Sequence, residues 1–129
     1  MPTSPYVPVV IAALFPVVLA AVAKAGGAID GVRFDNRRPR EILASLSGWP
    51  RRADAAQQNS WEAFAVFGIG VALALHAGVD ASRVAFWGWI FIALRAAFVA
   101  CYLANLPTPR SLFWVGGFGL SLWLMLGLS

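Results

Sequence analysis

Four stretches of this chain, about 6–23, 55–77, 84–103 and 111–128, are each apolar enough and long enough to cross a bilayer. A membrane helix needs roughly 18–22 such residues. The first and last stretches contain no charge at all. With 60% of its 129 residues apolar and 12% charged, the chain has too little charge to cover a soluble domain of its length. These features predict a single all-α integral membrane domain over residues 1–129. It is a bundle of four transmembrane helices with one sizeable polar loop at 24–52.

The tripeptide Ala21-Val22-Ala23 looks like a signal-peptidase site, but no Lys or Arg precedes it, while Lys24 and Arg33 follow. An uncleaved, reverse-oriented anchor fits that charge order better. The first connection carries Lys24, Arg33, Arg37, Arg38, Arg40, Arg51 and Arg52. The second carries only Arg83, and the short third one is followed by Arg110. The positive-inside rule then places the first and third connections in the cytoplasm and both termini outside. The net charge of +4 accordingly speaks for topology and for contact with anionic membrane lipid. No soluble basic domain with interleaved aromatics is present, so no nucleic-acid partner is expected. Cys101 is the only cysteine, which leaves no disulfide framework and no zinc arrangement. It reads as a small packed hydrophobe.

Residues 40–46 form an amphipathic turn or interfacial helix, with Trp49 at headgroup depth, and the second membrane helix is expected close behind Pro50. Pro8 and Pro16 fall inside the first span and should bend it. Gly68, Gly70, Gly116, Gly117 and Gly119 allow close helix approach. The turn Leu106-Pro107-Thr108-Pro109 cannot continue a helix. His76, at the far end of the second span, reads as an interfacial residue. No metal cluster, nucleophile-base pair or phosphate loop is visible in the spacing, so no metal is expected.

Two charges interrupt the apolar stretches: Glu62 in the second and Arg95 in the third. Intramembrane charges are costly and are kept for sites or for pairing with one another. If the second helix enters near Ala53 and the third leaves near Ala104, each charge lies about 13 Å from the same side, at 1.5 Å per residue. Opposite charges at one depth on consecutive antiparallel helices should pair. Gln58 and Asn59 share a helix face with Glu62, and Tyr102 shares one with Arg95. Arg110 and Ser111 lie at the cytoplasmic rim. Spacing leaves two readings open. One is an ion pair that fixes helix register, with the polar neighbours satisfying it. The other is a pocket for a polar ligand, which the surplus donors of Gln58, Asn59, Tyr102 and Arg110 favour.

The run Arg52-Ala53-Asp54-Ala55-Ala56-Gln57-Gln58-Asn59-Ser60-Trp61-Glu62-Ala63-Phe64 resembles the second-helix signature of the MAPEG family, the membrane-associated proteins in eicosanoid and glutathione metabolism. Arg95 and Tyr102, seven residues apart with six between them, look like that family's third-helix motif, and Pro109-Arg110-Ser111 is similar to its rim before the fourth helix. The resemblance covers essentially the whole chain and is closest to the small bacterial members. It implies a homotrimer with sites between neighbouring subunits, binding glutathione near the cytoplasmic side and acting as a transferase or peroxidase on a hydrophobic small molecule. Carried over, Gln58, Asn59 and Glu62 contact glutathione, Arg95 orders Glu62, and Tyr102 hydrogen-bonds the ligand. Arg110, with Ser111 beside it, stabilises the thiolate as the catalytic group, since a neighbouring guanidinium lowers a thiol pKa. In the prostaglandin E synthase-like branch a basic pair stands where this chain has Gln57-Gln58, and a histidine where it has Phe98. Two alternatives come from other classes. The first is a non-catalytic membrane protein holding a lipid or hydrophobic small molecule between protomers, as the lipoxygenase-activating branch does. The second is a small transporter or channel component, which the clustering of polar residues on one side disfavours.

Overall fold

The computed structural model describes residues 4–127 and is all-helical. Five helices follow one another: α1 (Tyr6–Ile29), α2 (Pro39–Ser45), α3 (Gly48–His76), α4 (Ala81–Leu103) and α5 (Pro107–Met125). By length and composition α1 and α4 are apolar enough to cross a membrane. The other two expected spans fall short of that measure for a local reason. The first half of α3 carries Arg51, Arg52, Asp54 and Glu62, and α5 opens on Pro107, Pro109 and Arg110. The last residue of the expected fourth span, Leu128, lies outside the described residues.

α3 begins at Gly48, seven residues before the expected start of its span. Pro50 does not delay it, because proline lacks only an N–H that the first turn leaves unbonded. At 29 residues and 1.5 Å per residue, α3 is about 43 Å long, more than a hydrocarbon core of about 30 Å requires. α1 likewise runs six residues past its expected end, through Gly26-Gly27. Those glycines do not stop the helix; they admit its neighbours. A Cβ on Gly26 would lie 2.5 Å from the Trp49 ring and 2.7 Å from Pro50, and one on Gly27 would lie 2.7 Å from Leu46. The expected amphipathic segment forms as α2, and Leu43 and Leu46 bury against Ala23 and Ala53, tying the first loop to α1 and α3.

α3 is the central element and packs on all four others. At its far half, Phe67 stacks on Phe91 with ring centres 3.9 Å apart, inside a core completed by Ala12, Val71, Ala74, Val84 and Leu124. Of the glycines expected to bring helices together, Gly70 does so most tightly: a Cβ there would sit 2.8 Å from the Ser121 carbonyl oxygen of α5. One on Gly116 or Gly117 would meet Leu94 or Phe91 of α4 at 3.6 or 3.5 Å. Gly68 and Gly119 face open space. α4 starts on Asp80, whose carboxylate accepts from the Ser82 backbone N–H (3.2 Å) and hydroxyl (2.9 Å). This N-cap satisfies donors that the first helical turn leaves free. Val10, Leu14 and Val18 of α1, Ile69 and Leu73 of α3, and Val115, Phe118 and Leu122 of α5 are exposed on the protomer. An apolar exterior of this extent suits lipid or a partner chain.

Candidate functional site

The seam between α3, α4 and α5 holds two spaces that share Trp114 as a wall. The outer one, about 290 Å³, is lined by Asn59, Phe98, Tyr102, Arg110, Ser111, Trp114 and Val115. The inner one, about 110 Å³, is mainly apolar, with Phe91, Trp114, Phe118 and Val66 among its walls and Glu62, Arg95 and Ser121 as its polar members.

The outer mouth is organised by ring stacking along α4. Positions 95, 98 and 102 recur at helical spacing and so share one face. The Arg95 guanidinium lies 4.2 Å from the Phe98 ring centre. Phe98 meets Tyr102 edge-on at 5.5 Å, and the Arg110 guanidinium lies 4.6 Å above the Tyr102 ring. Cation–π contact holds a charge in place while leaving its N–H donors free for a ligand. Among the described residues no carboxylate pairs with Arg110. Asn59 contributes an Oδ1 atom that is buried and without a hydrogen-bond partner. A buried acceptor in that state costs about 1–3 kcal/mol until a donor arrives. Ser111 lies on the rim with its hydroxyl donating to the Pro107 carbonyl at 3.1 Å. The mouth therefore offers one cation, one unmet acceptor and a phenol, a set that fits an anionic ligand carrying N–H groups.

The expected ion pair between Glu62 and Arg95 does not form in the protomer. Both side chains line the inner space, so the depth match holds. Arg95 is buried, with 3% exposure, and donates through Nη2 to Ser60 Oγ at 3.0 Å. The reason is angular. Ser60 is buried and meets Arg95 of α4, and Glu62, two residues on, is rotated about 200° around α3 from it. Glu62 is exposed on the protomer and also borders a cleft between α2 and α3, with Arg40, Leu43, Asp54, Gln57, Gln58 and Trp61.

Gln58 belongs to that cleft and not to the mouth. Its amide donates to Asp54 Oδ2 at 3.1 Å, and Arg51 Nη1 donates to the same oxygen at 2.9 Å. Asn59, one residue on, is turned about 100° around the helix and enters the mouth. The structure thus gathers Asn59, Tyr102, Arg110 and Ser111 around the outer space, puts Glu62 and Arg95 on the inner one, and separates Gln58. Three participants were not singled out from sequence. Ser60 sits two residues before Glu62. Asp54 lies three residues after Arg51, a helical ion-pair spacing that does carry a signal. Arg52 binds a backbone carbonyl of α4, which leaves no sequence trace.

A sequence model of the MAPEG family matches residues 4–129, nearly the entire chain. No curated protein and no solved structure matches it.

Proposed function

The chain belongs to the MAPEG family, and from that premise we propose a glutathione-dependent transferase or peroxidase that acts on hydrophobic molecules in the membrane. It is a membrane protein of that family. In this reading α1, α3, α4 and α5 all span the bilayer, three protomers assemble, and the basic first loop and the mouth face the cytoplasm of a bacterial inner membrane. The charge order of the connections supports that orientation, and the apolar exterior of the protomer supports burial in lipid and in a trimer.

The observation that carries the reading is the mouth itself: an arginine without a carboxylate partner stacked on Tyr102, beside a buried acceptor without a donor. Glutathione supplies a thiol, the nucleophile of a transferase or the reductant of a peroxidase. Arg110 holds positive charge where a thiolate forms and so raises the ionised fraction at neutral pH. Asn59 accepts a peptide N–H, and Tyr102 fixes both Arg110 and a ligand oxygen. The inner space, bounded by Phe91, Trp114 and Phe118, receives the apolar part of the second substrate and excludes water from it. Arg95 and Glu62, with Ser121, are the polar members of that inner space. Arg110 is the one cation lining the mouth among the described residues, so it bears the binding of a glutathione carboxylate there.

Arg110→Ala tests this directly. The ultraviolet absorbance of bound thiolate should disappear at neutral pH while the oligomer stays intact. Undiminished thiolate in the variant removes Arg110 from the role. A second reading, a non-catalytic holder of a lipid-like molecule, is favoured only by the largely apolar inner space. It predicts that a hydrophobic ligand stabilises the protein and glutathione does not.

A further inference from the structure

We propose that Arg52 is a positioning residue for the mouth, fixing Tyr102 and Arg110 by capping the end of α4. The inference rests on the mouth being the thiol site, although one arm of its test stands apart from that.

A helix leaves its last carbonyls without intrahelical donors. In α4 nearly all of them are met within the turn. Ala104 N–H donates to Ala100 O (3.0 Å), Asn105 N–H to Tyr102 O (3.1 Å) and Leu106 N–H to Cys101 O (2.8 Å). The last two bonds make a Schellman turn. Asn105 takes the left-handed conformation this turn needs, at φ 59°, which asparagine tolerates better than most residues. One carbonyl remains, that of Leu103. Arg52, 51 residues earlier at the start of α3, fills it from two donors, Nε at 3.3 Å and Nη2 at 3.1 Å. A guanidinium at a helix C-terminus also meets the negative end of the helix dipole.

The capped residue sits between the parts of the mouth. Leu103 follows Tyr102 directly, and only Ala104-Asn105-Leu106 separate it from α5, whose first turn holds Arg110. Arg110 N–H donates to Leu106 O at 3.2 Å, so the turn and the start of α5 move as one piece. Asn59, the opposing wall, lies seven residues after Arg52 on α3, two helical turns along the same face. Arg52 therefore ties the wall that carries Asn59 to the wall that carries Tyr102 and Arg110. It lines neither the outer nor the inner space. Loss of the clamp frees the turn at 104–106, lets Arg110 drift from Tyr102, and moves positive charge away from the sulfur.

Four full-length proteins test this: wild type, Arg52→Lys, Arg52→Gln and Arg52→Ala, each in lipid nanodiscs. Hydrogen exchange is followed in the segment 101–112, with 67–76 in the central core as internal reference. Glutathione affinity and the pH midpoint of bound-thiol ionisation are measured alongside. For Arg52→Gln and Arg52→Ala, exchange should rise in 101–112 and stay unchanged in 67–76. Glutathione should bind about tenfold more weakly, a loss equivalent to one charge-assisted hydrogen bond, and the thiol midpoint should move upward. Arg52→Lys keeps the charge and one donor and should fall between. If the neutral variants do not fold, Arg52→Lys decides through the same readouts. Unchanged exchange in 101–112 overturns the proposal, and so does increased exchange with wild-type affinity and midpoint. If wild-type protein binds no glutathione, the functional reading fails separately. The positioning claim then stands or falls on exchange in 101–112 and on the reactivity of Arg110 towards an arginine-specific dicarbonyl.

Discussion

Ser60→Ala is predicted to destabilise the protein far more than its small change in volume suggests. Arg95 is buried, and Ser60 Oγ, 3.0 Å from its Nη2, is the acceptor that holds it. Ser60 is itself 2% exposed, so alanine leaves an N–H of a buried guanidinium facing a methyl group. A hydrogen bond to a charged group contributes about 1.5–3 kcal/mol, and leaving the charged partner buried and unmet puts the expected loss toward the upper end. The remaining contact, Phe98 at 4.2 Å, holds the guanidinium plane without replacing the acceptor. The assay is reversible unfolding in mixed micelles, comparing wild type, Ser60→Ala, Glu62→Gln and the double variant. Glu62 is exposed on the protomer, so Glu62→Gln should change stability by less than about 0.5 kcal/mol, and the two changes should add. If Ser60→Ala is neutral while Glu62→Gln lowers stability by more than about 1.5 kcal/mol, Arg95 is held by Glu62 after all. Ser60, rotated towards α4, would then not be the acceptor that holds Arg95.

Gly70→Ala should lower stability by roughly 1–3 kcal/mol, because its Cβ would meet the Ser121 carbonyl of α5 at 2.8 Å. Gly68→Ala, which faces open space, should be neutral or stabilising by up to about 1 kcal/mol, and the same unfolding assay reads both. Asp80 titrates below its ordinary value of 3.8, chiefly because the Ser82 backbone N–H bonds the ionised carboxylate, with the Ser82 hydroxyl and the charge of Arg83 adding to this. A lowered folded value means the N-cap's contribution is fully present above 3.8 and is lost as pH falls through the lower folded value. Asp80→Asn should flatten the acid limb of the stability profile, and an unchanged acid limb would remove Asp80 from that role.

The helices were legible in the sequence wherever apolar length alone decides them, as in α1 and α4. The ends were not. Gly26-Gly27 look like a helix stop until the Trp49 and Pro50 rings are seen packed against them. Pro50 looks like a boundary, although the first helical turn has no use for its missing N–H. Asn59 and Tyr102 lie on the faces their helical positions dictate, and Arg110 and Ser111 follow the short turn at the start of α5, so all four line the mouth. Pairing Glu62 with Arg95 follows from depth alone. Depth is one coordinate of a helix and rotation is the other. Ser60 took the arginine because it is the residue rotated towards α4. Gln58 was grouped with Asn59 although the two differ by about 100°, enough to place one in the α2–α3 cleft and the other in the mouth. Arg52 had no sequence signal, since its partner is a carbonyl that every residue carries.

Titrating purified wild-type protein with glutathione while following its unfolding midpoint tests the thiol-site assignment most directly. Ligand at about a hundred times its dissociation constant should add about 2.7 kcal/mol of stability, with the gain abolished in Asn59→Leu and reduced in Arg110→Ala. A midpoint that does not move at millimolar glutathione, in protein that remains folded, contradicts the account.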